Sequence, residues 1–290
     1  MAVDLKGMLR SGRGPLLAAA LGLAAMGAGG GWGASPAVAA AQERLGPREI
    51  VRRCDFKYAG EDQRSELTII LRDKDGNEKK NVYRRLWKDY KGRDGVAEKM
   101  LLVTTYPPDA RGTGFMRWAY TAETDKSADQ WIYLPVLKKI RRVSIRDPGD
   151  SFLGSDLTYY DISAHDIDEF DYRLVGARRK GALQVLIVEA RPKDRRKALY
   201  SRIVSWYGLV RGDWRNCSKF RVDYYDRKGE PLKQQLIKWQ RVNGAWIWDE
   251  VAVRNVQTAH SSVFRMREVE VNVGLKDELF TERTLRLGLR

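Results

Sequence analysis

The chain has 290 residues, of which 43% are apolar, and it carries a formal net charge of +15. This size and composition suffice for one large domain with a substantial core, and no Pro/Ser-rich or Gly/Ser-rich linker follows Gln42. The sequence contains no P-loop, G-x-G-x-x-G or G-x-S-x-G pattern, which disfavours nucleotide binding and a serine-hydrolase elbow. We therefore expect a single domain over residues 40–290.

The N-terminus has the pattern of an export signal. Basic residues at Lys6, Arg10 and Arg13 precede an apolar run over residues 16–26, and an A-x-A site ends at Ala39. The apolar run is about half of the ~20 residues that a membrane span needs, so a membrane anchor is the weaker alternative. We predict a signal peptide over residues 1–39, cleavage after Ala39 or Ala41, and a soluble periplasmic mature protein.

The mature chain stays strongly basic. Removing residues 1–39 removes three basic residues and one acid, so the net charge falls from +15 to +13. Export makes nucleic acid an unsuitable partner, whereas acidic membrane surfaces and lipid headgroups are present in the envelope. Two explanations of the charge stay open, namely peripheral contact with an anionic surface and a solvated outer face of a sheet.

The first predicted element is a helix over residues 47–56, with Ile50, Val51 and Cys54 on one face. A convincing hairpin follows, because Asp75-Gly76 lies between strands predicted at residues 66–71 and 81–87. The remaining strands are predicted at residues 99–106, 115–120, 131–134, 140–145, 170–175, 183–190, 200–207, 219–225, 232–241, 246–254 and 259–273.

Three further predictions concern irregular or short elements. Residues 152–162 are poorly spaced for a strand, and we interpret them as one or two broken helical turns lying across the sheet. The apolar parity of residues 259–273 shifts midway, which predicts a β-bulge near Arg267. Residues 277–284 are predicted to form a final short helix.

Cys54 and Cys217 are the only cysteines, and neither lies in a C-x-x-C arrangement. In an oxidising compartment an isolated pair is expected to be bridged. The alternative is two unpaired buried thiols.

About a dozen strands joined mostly by short turns predict a consecutive antiparallel sheet, and no βαβ spacing appears. Several strands are apolar on both faces, as in Trp131–Leu134. Either helices cover the second face, or a curved sheet encloses an apolar cavity. The predicted helices are too few to fill a wide sheet, which favours the cavity.

Two motifs in the middle of the chain carry a family resemblance. They are W-x-Y-L-P-x-x-K-K-I-R-R at residues 131–142 and F-x-G-S-D-L-T-Y-x-D at residues 152–161. These two motifs resemble those of the outer-membrane lipoprotein-sorting proteins, the LolA-like periplasmic carriers. Looser matches continue through residues 224–233, 243–246 and 280–285, so the resemblance covers most of the chain after Gln42.

The resemblance implies a mainly β (α+β) fold, in which a single curved antiparallel sheet forms an unclosed β-barrel with an apolar cavity, capped by short helices. In this family the cap helices are thought to gate a cavity that shelters acyl chains. By position, residues 152–162 would be the counterpart of that cap.

An enzymatic function has little support in the sequence. His165 lies near Asp166, Asp168 and Glu169, but their spacing fits neither an EF-hand nor a zinc motif, so we expect a solvated acidic loop. His260 begins a strand and has no carboxylate nearby in sequence, which predicts a packing role. We expect no catalytic residues, no metal and no cofactor.

The candidate site residues are therefore apolar or basic. The cavity or cap candidates are Trp131, Tyr133, Leu134, Phe152, Leu157, Tyr160, Trp206 and Trp239. The headgroup candidates are Lys138, Lys139, Arg141 and Arg142, with the alternative that these four only solubilise a strand.

The expected function is carriage of lipid or lipoprotein acyl chains toward the outer membrane, without covalent chemistry. Its candidate partners are an inner-membrane transporter and an outer-membrane acceptor. The alternative is a non-carrier envelope protein that docks on anionic membranes or assembles with an inner-membrane transport complex.

Overall fold

A computed structural model describes residues 45–124, 126–143, 149–163, 165–196 and 198–289. The predicted signal peptide with its cleavage sites lies outside the described residues, as does the end of the strand predicted at residues 140–145. Across the described ranges, no helix has both the length and the apolar character that a membrane span requires.

Thirteen antiparallel strands form one sheet. Its order is β6-β5-β4-β3-β2-β1-β13-β12-β11-β10-β9-β8-β7, so sequence neighbours pair throughout and the β1–β13 pair joins the two ends of the chain. The strands are β1 (Asp62–Arg72), β2 (Glu78–Asp89), β3 (Val96–Tyr106), β4 (Gly114–Tyr120), β5 (Asp129–Leu134), β6 (Lys139–Val143), β7 (Phe170–Lys180), β8 (Leu183–Pro192), β9 (Arg202–Val210), β10 (Ser218–Tyr225), β11 (Pro231–Val242), β12 (Ala245–Asn255) and β13 (Ser261–Val271).

The sheet is curved and does not close, because β6 and β7 are its two free edges. The predicted fold class, an unclosed antiparallel sheet with a few short helices, is confirmed. Every predicted strand is present, and β1 and β7 are longer than predicted.

Turn chemistry sets the register of the hairpins. The Asp73 carboxylate accepts hydrogen bonds from the backbone N–H groups of Asp75 and Asn77, which closes the β1–β2 turn. Asn243 and Gly244 both have positive φ, 48° and 82°, in the two-residue turn between β11 and β12. Asn-Gly tolerates that conformation, and it matches the twist of the flanking strands.

The predicted bulge in β13 is confirmed. Glu66 pairs with Arg267 and Arg64 with Glu270, so two residues of β13 lie opposite one residue of β1, and Glu268 has φ 52°. The extra residue reverses the parity of the strand. Met266 and Val271 therefore pack into the same core although one number is even and the other odd.

Successive residues of each strand point to opposite faces of the sheet. The inner face, defined here by Leu67, Leu102 and Phe115, carries the largest core. The outer face of β2 to β5 carries a second core that includes Leu101 and Met116.

Helix α1 (Pro47–Asp55) covers one end of the inner face. Its buried residues Ile50, Val51 and Cys54 pack on β8 and β9, and Cys54 is joined to Cys217 in a disulfide. The helix begins with Pro47, whose fixed φ suits the first turn.

The C-terminal segment covers the outer face. The single helix predicted at residues 277–284 is wrong in detail: a 3₁₀ turn (Asp277–Phe280) is followed by helix α2 (Glu282–Leu287). The break occurs because the Thr281 hydroxyl accepts from the Thr284 N–H and so caps a new helix. Phe280 and Leu285 then bury themselves in the outer core.

Candidate functional site: a cavity on the inner face

A cavity of about 320 Å³ opens on the inner face. It lies between the sheet and the segment of residues 149–163, which we call the cap segment. Its walls come from β1 to β4, β11 to β13, the cap segment and the chain just after α1. The lining residues are Asp55, Lys57, Ala59, Gln63, Leu67, Arg85, Trp87, Glu98, Met100, Arg117, Phe152, Asp161, Ile162, Trp239, Trp246, Ile247, Trp248, Phe264 and Met266.

One wall is apolar and aromatic. Trp239 and Trp248 are cross-strand partners at the β11–β12 hairpin, and Trp246 meets Trp239 edge to face with ring centroids 6.2 Å apart. The Trp239 indole N–H donates to the Lys219 carbonyl at 2.6 Å, so the polar atom of that ring is satisfied. Its carbon surface is left to contact an apolar ligand.

The opposite wall is polar. Glu98 Oε2 accepts from the Trp87 indole at 2.6 Å, and Glu98 Oε1 accepts from Arg117 at 2.9 Å. Gln63 Oε1 accepts from Arg85 at 2.7 Å. Burial lowers the pKa of Arg85 to about 10, opposed by the charge of Glu98. The cavity can therefore hold an amphiphile, with apolar contacts on one side and cations on the other.

The cap segment is short and irregular. It contains one 3₁₀ turn (Phe152–Gly154) and then turns and bends, so of the helical turns predicted for residues 152–162 one 3₁₀ turn is present. An isolated bridge between Ser151 and Thr158 closes it into a compact loop. Phe152 is buried against Phe115 of β4, with ring centroids 5.9 Å apart.

A buried ion pair fastens the cap segment to the sheet. Lys233 of β11 pairs with Asp161, whose side chains are 3% and 1% exposed. Asp161 also accepts from the Tyr200 hydroxyl at 2.8 Å and from the Thr158 N–H at 2.7 Å. Burial lowers the pKa of Lys233, and the charge of Asp161 opposes that shift. The pair is surrounded by donors and acceptors, as a buried charge requires.

Both histidines contact groups of the cap segment. His165 Nε2 lies 2.8 Å from the Tyr160 carbonyl oxygen, and the two ring centroids are 4.0 Å apart with the ring planes tilted by 37°. The acidic residues after it are exposed as expected, but His165 itself is part-buried. His260 contacts the Asp156 carboxylate at 2.8 Å, a partner far away in sequence. Among the described residues, no cluster of three or more His, Cys, Asp or Glu side chains is arranged to hold a metal ion.

The structure places the cavity candidates in four different environments. Phe152 and Trp239 line the cavity, while Leu157 and Tyr160 pack behind it in the cap segment. Trp131 and Tyr133 lie on the outer face, against the core that contains Phe280. Trp206 donates to the Asp223 carboxylate at 3.0 Å and is also on the outer face, and Leu134 ends β5 half-buried outside the cavity lining.

The four basic candidates lie at one free edge of the sheet. Lys138 ends the turn before β6, and Lys139, Arg141 and Arg142 belong to β6. All four are exposed, and Arg142 pairs with Asp129. Beside them, Val136 and Leu137 are 88% and 48% exposed.

Sequence reasoning missed the charged part of the site. Arg85 stands between Tyr83 and Trp87 on β2, and Arg117 stands two residues after Phe115 on β4. Each is a charged residue at the parity of its strand's inward-facing aromatics. A charged residue at an inward-facing position of an alternating strand was the signal in the sequence that could have identified these two arginines.

The fold belongs to the LolA-like class. A domain provisionally described as an outer membrane lipoprotein-sorting protein from Vibrio parahaemolyticus is similar, with 25% identity, a TM-score of 0.66, and coverage of 82% of this chain and 96% of that one. A LolA superfamily protein from Nitrosomonas europaea shares the fold at 16% identity and a TM-score of 0.58, over 82% and 99% of the chains. The resemblance stated from the sequence motifs is confirmed.

A match to a family sequence model identifies the particular family. That model, described only as an uncharacterised protein family, matches residues 97–287, more than half of the chain, so the protein belongs to this family. A DUF1329 family protein from Desulfovibrio piger has a similar structure, with 26% identity, a TM-score of 0.70, and coverage of 82% and 97% of the two chains. No curated protein sequence matches the chain.

Proposed function

We propose that the protein is a periplasmic carrier that binds acyl chains of lipids or lipoproteins in the inner-face cavity and takes part in their transfer toward the outer membrane. The observation that carries this proposal is the cavity itself, walled by Trp239, Ile247, Phe264 and Met266 beneath the cap segment. The similar lipoprotein-sorting domain and LolA superfamily protein support it. Carriage requires binding and release and no covalent chemistry.

The size of the cavity suits one chain at a time. A volume of about 320 Å³ is at the lower end of the range for ligand pockets, roughly 300–1,000 Å³. Each buried methylene contributes about 0.8 kcal/mol, so about ten methylenes contribute about 8 kcal/mol before the cost of ordering the chain. Apolar contact therefore supplies enough affinity for a carrier.

The predicted signal peptide supports a periplasmic route for the cargo. In the proposed route an inner-membrane transporter loads the protein and an outer-membrane acceptor unloads it. The cap segment is the proposed gate for release, because Phe152 and Ile162 form part of the cavity wall.

Native mass spectrometry of the mature protein purified from the periplasm tests the proposal. We expect a bound mass that solvent extraction converts to free lipid. Met100→Trp places an indole in the cavity and should lower occupancy, whereas Val256→Trp adds the same ring at an exposed position and should not. A protein that is empty, and that stays empty when offered lipids and acylated peptides, would contradict carriage.

A second candidate function is docking on an anionic membrane surface, alone or as part of an inner-membrane transport complex. The favouring observation is the exposed pair Val136 and Leu137, followed directly by Lys138 and Lys139 at the free edge of the sheet. Apolar tips flanked by cations suit insertion among acidic headgroups.

Sedimentation with phosphatidylglycerol vesicles tests this docking surface. Val136→Asp and Lys138→Glu should each weaken binding, and Val175→Asp, at an exposed position of β7, should have a smaller effect. Raising the salt concentration should weaken binding further through screening. Binding that is unchanged at high salt would count against docking.

A further inference from the structure

Two arginines are buried in the polar wall of the cavity. Arg85 of β2 is 7% exposed and Arg117 of β4 is 3% exposed, and both line the cavity. Cations are seldom buried to this extent without an anion for each, because an unpaired charge in a dry environment costs several kcal/mol or more.

Within the part of the chain that the structure describes, one carboxylate pairs with these two guanidinium groups. Glu98 pairs with Arg117 at 2.9 Å, and its second oxygen accepts from the Trp87 indole. Among the described residues, Arg85 donates only to the neutral Gln63 side chain and has no carboxylate within ion-pair distance. The other carboxylates that line the cavity, Asp55 and Asp161, are paired with Lys219 and Lys233. Arg85, Arg117 and Glu98 together therefore carry one net positive charge.

Unused hydrogen-bonding capacity surrounds this charge. Among the residues with described positions, the buried Nε of Arg117 has no hydrogen-bond partner, and neither has the Oγ of Ser65, which lies opposite Arg85 across β1 and β2. A guanidinium offers five N–H donors in a planar fork. Arg85 remains protonated at neutral pH, since burial lowers its pKa only to about 10. The polar wall therefore lacks an anion with several acceptor oxygens.

We propose that Arg85 and Arg117 bind the anionic head, a carboxylate or a phosphate, of an amphiphile whose chain lies along the aromatic wall of the same cavity. Guanidinium groups match both anions through paired N–H···O bonds. The cargo class that follows is a free fatty acid or an acidic phospholipid, in preference to the same chain held in a neutral ester or amide. This inference rests on the proposed carrier function and specifies its cargo.

Calorimetric titration with ligands of one chain length isolates the head group. The probes are dodecanoate, dodecyl phosphate, the uncharged dodecanol, and inorganic phosphate without a chain. We expect the native protein to bind the two anionic amphiphiles about tenfold to a hundredfold more tightly than dodecanol, the scale of a charged hydrogen bond.

The variants locate that preference. Arg85→Gln and Arg117→Gln should each reduce the affinity for both anionic amphiphiles about tenfold or more and leave dodecanol binding unchanged. The matched control is Arg84→Gln, which removes the same charge from the next residue of β2, where the side chain is exposed and contacts the Leu289 carbonyl. The control should bind all probes as the native protein does.

Each outcome has a distinct meaning. If the native protein binds dodecanol as tightly as dodecanoate, the anion site is overturned while carriage stands. If it binds none of the amphiphiles, the proposed function fails. Inorganic phosphate bound as tightly as dodecyl phosphate would show a free-ion site and overturn the cargo class. The comparison of probes on the native protein decides the question even if Arg85→Gln does not fold.

Discussion

The two ends of the inner face solve the same packing problem differently. Over β7 to β9, helix α1 buries Ile50, Val51 and Cys54 and fills the space, and the disulfide to Cys217 holds it there. Over β1 to β4 and β11 to β13, the irregular cap segment covers the sheet and leaves a cavity of about 320 Å³. One end is a filled core and the other keeps a cavity, which is the proposed binding site.

The difference lies in what each covering element can present to the sheet. A regular helix aligns apolar side chains in a continuous stripe, which interdigitates with the strands below. The cap segment turns at Leu153, whose φ is 53°, and so cannot form such a stripe. It contributes isolated anchors, Phe152 and Leu157, with open space beside them.

The largest expected effect comes from the ion pair that holds the cap segment. Lys233→Met leaves the Asp161 carboxylate buried without its cation, which should cost about 3–5 kcal/mol of unfolding free energy. Urea denaturation measures the loss, and hydrogen exchange should increase in residues 149–163 first.

Arg64→Met is the matched control for this variant. Arg64 of β1 also forms an ion pair, with Glu270, but the two side chains are 52% and 56% exposed. Its removal should cost about 0–1 kcal/mol. Equal losses in the two variants would show that burial does not distinguish the pairs.

Loss of the disulfide should lower the stability of the protein, mainly where α1 packs on β7 to β9. Replacing Cys54 and Cys217 by alanine should cost about 2–5 kcal/mol, because the bridge joins positions 163 residues apart. Thermal unfolding checks the magnitude, and hydrogen exchange should increase in α1. Lipid occupancy should be retained if the two ends are energetically separate, and a parallel loss of lipid would show that α1 shapes the cavity.

A smaller effect is expected from His165, which lies where the cap segment joins β7. Burial lowers its pKa, and the Tyr160 carbonyl, Glu169 and Asp161 oppose that shift in part. A histidine that is held neutral contributes stability above its ordinary pKa of about 6.5, and that stability is lost as the pH falls below this value.

His165→Phe keeps a ring against Tyr160 and removes the titration. The unfolding free energy of this variant, measured in urea between about pH 7 and pH 5, should therefore fall less steeply than that of the native protein. Identical slopes for the two proteins would exclude His165 as a source of acid sensitivity.

Local patterns in the amino-acid sequence account for much of this architecture. Strand positions, the Asn243-Gly244 hairpin, the buried face of α1 and the bulge beside Arg267 all follow from periodicity and turn residues. These features depend on neighbours in sequence, which is why the sequence alone suffices for them. The two central motifs were also enough to indicate the LolA-like class.

The lining of the cavity depended on tertiary structure. A strand that is apolar on both faces does not reveal which face is inward, because a shift of one residue exchanges them. Trp131 and Tyr133 were therefore cavity candidates, although they lie on the outer face, and Trp206 was chosen for the same reason.

The sequence by itself determined the elements and their consecutive antiparallel order, since these follow from local periodicity and turn chemistry. It indicated the class of fold through the resemblance of its two central motifs. Only the tertiary structure decided the chemistry of the site. It brought Asp161 to Lys233 across 72 residues and placed Arg85 and Arg117 on one wall. Such contacts are set by sheet register and curvature, which sum over many strands and leave no local pattern.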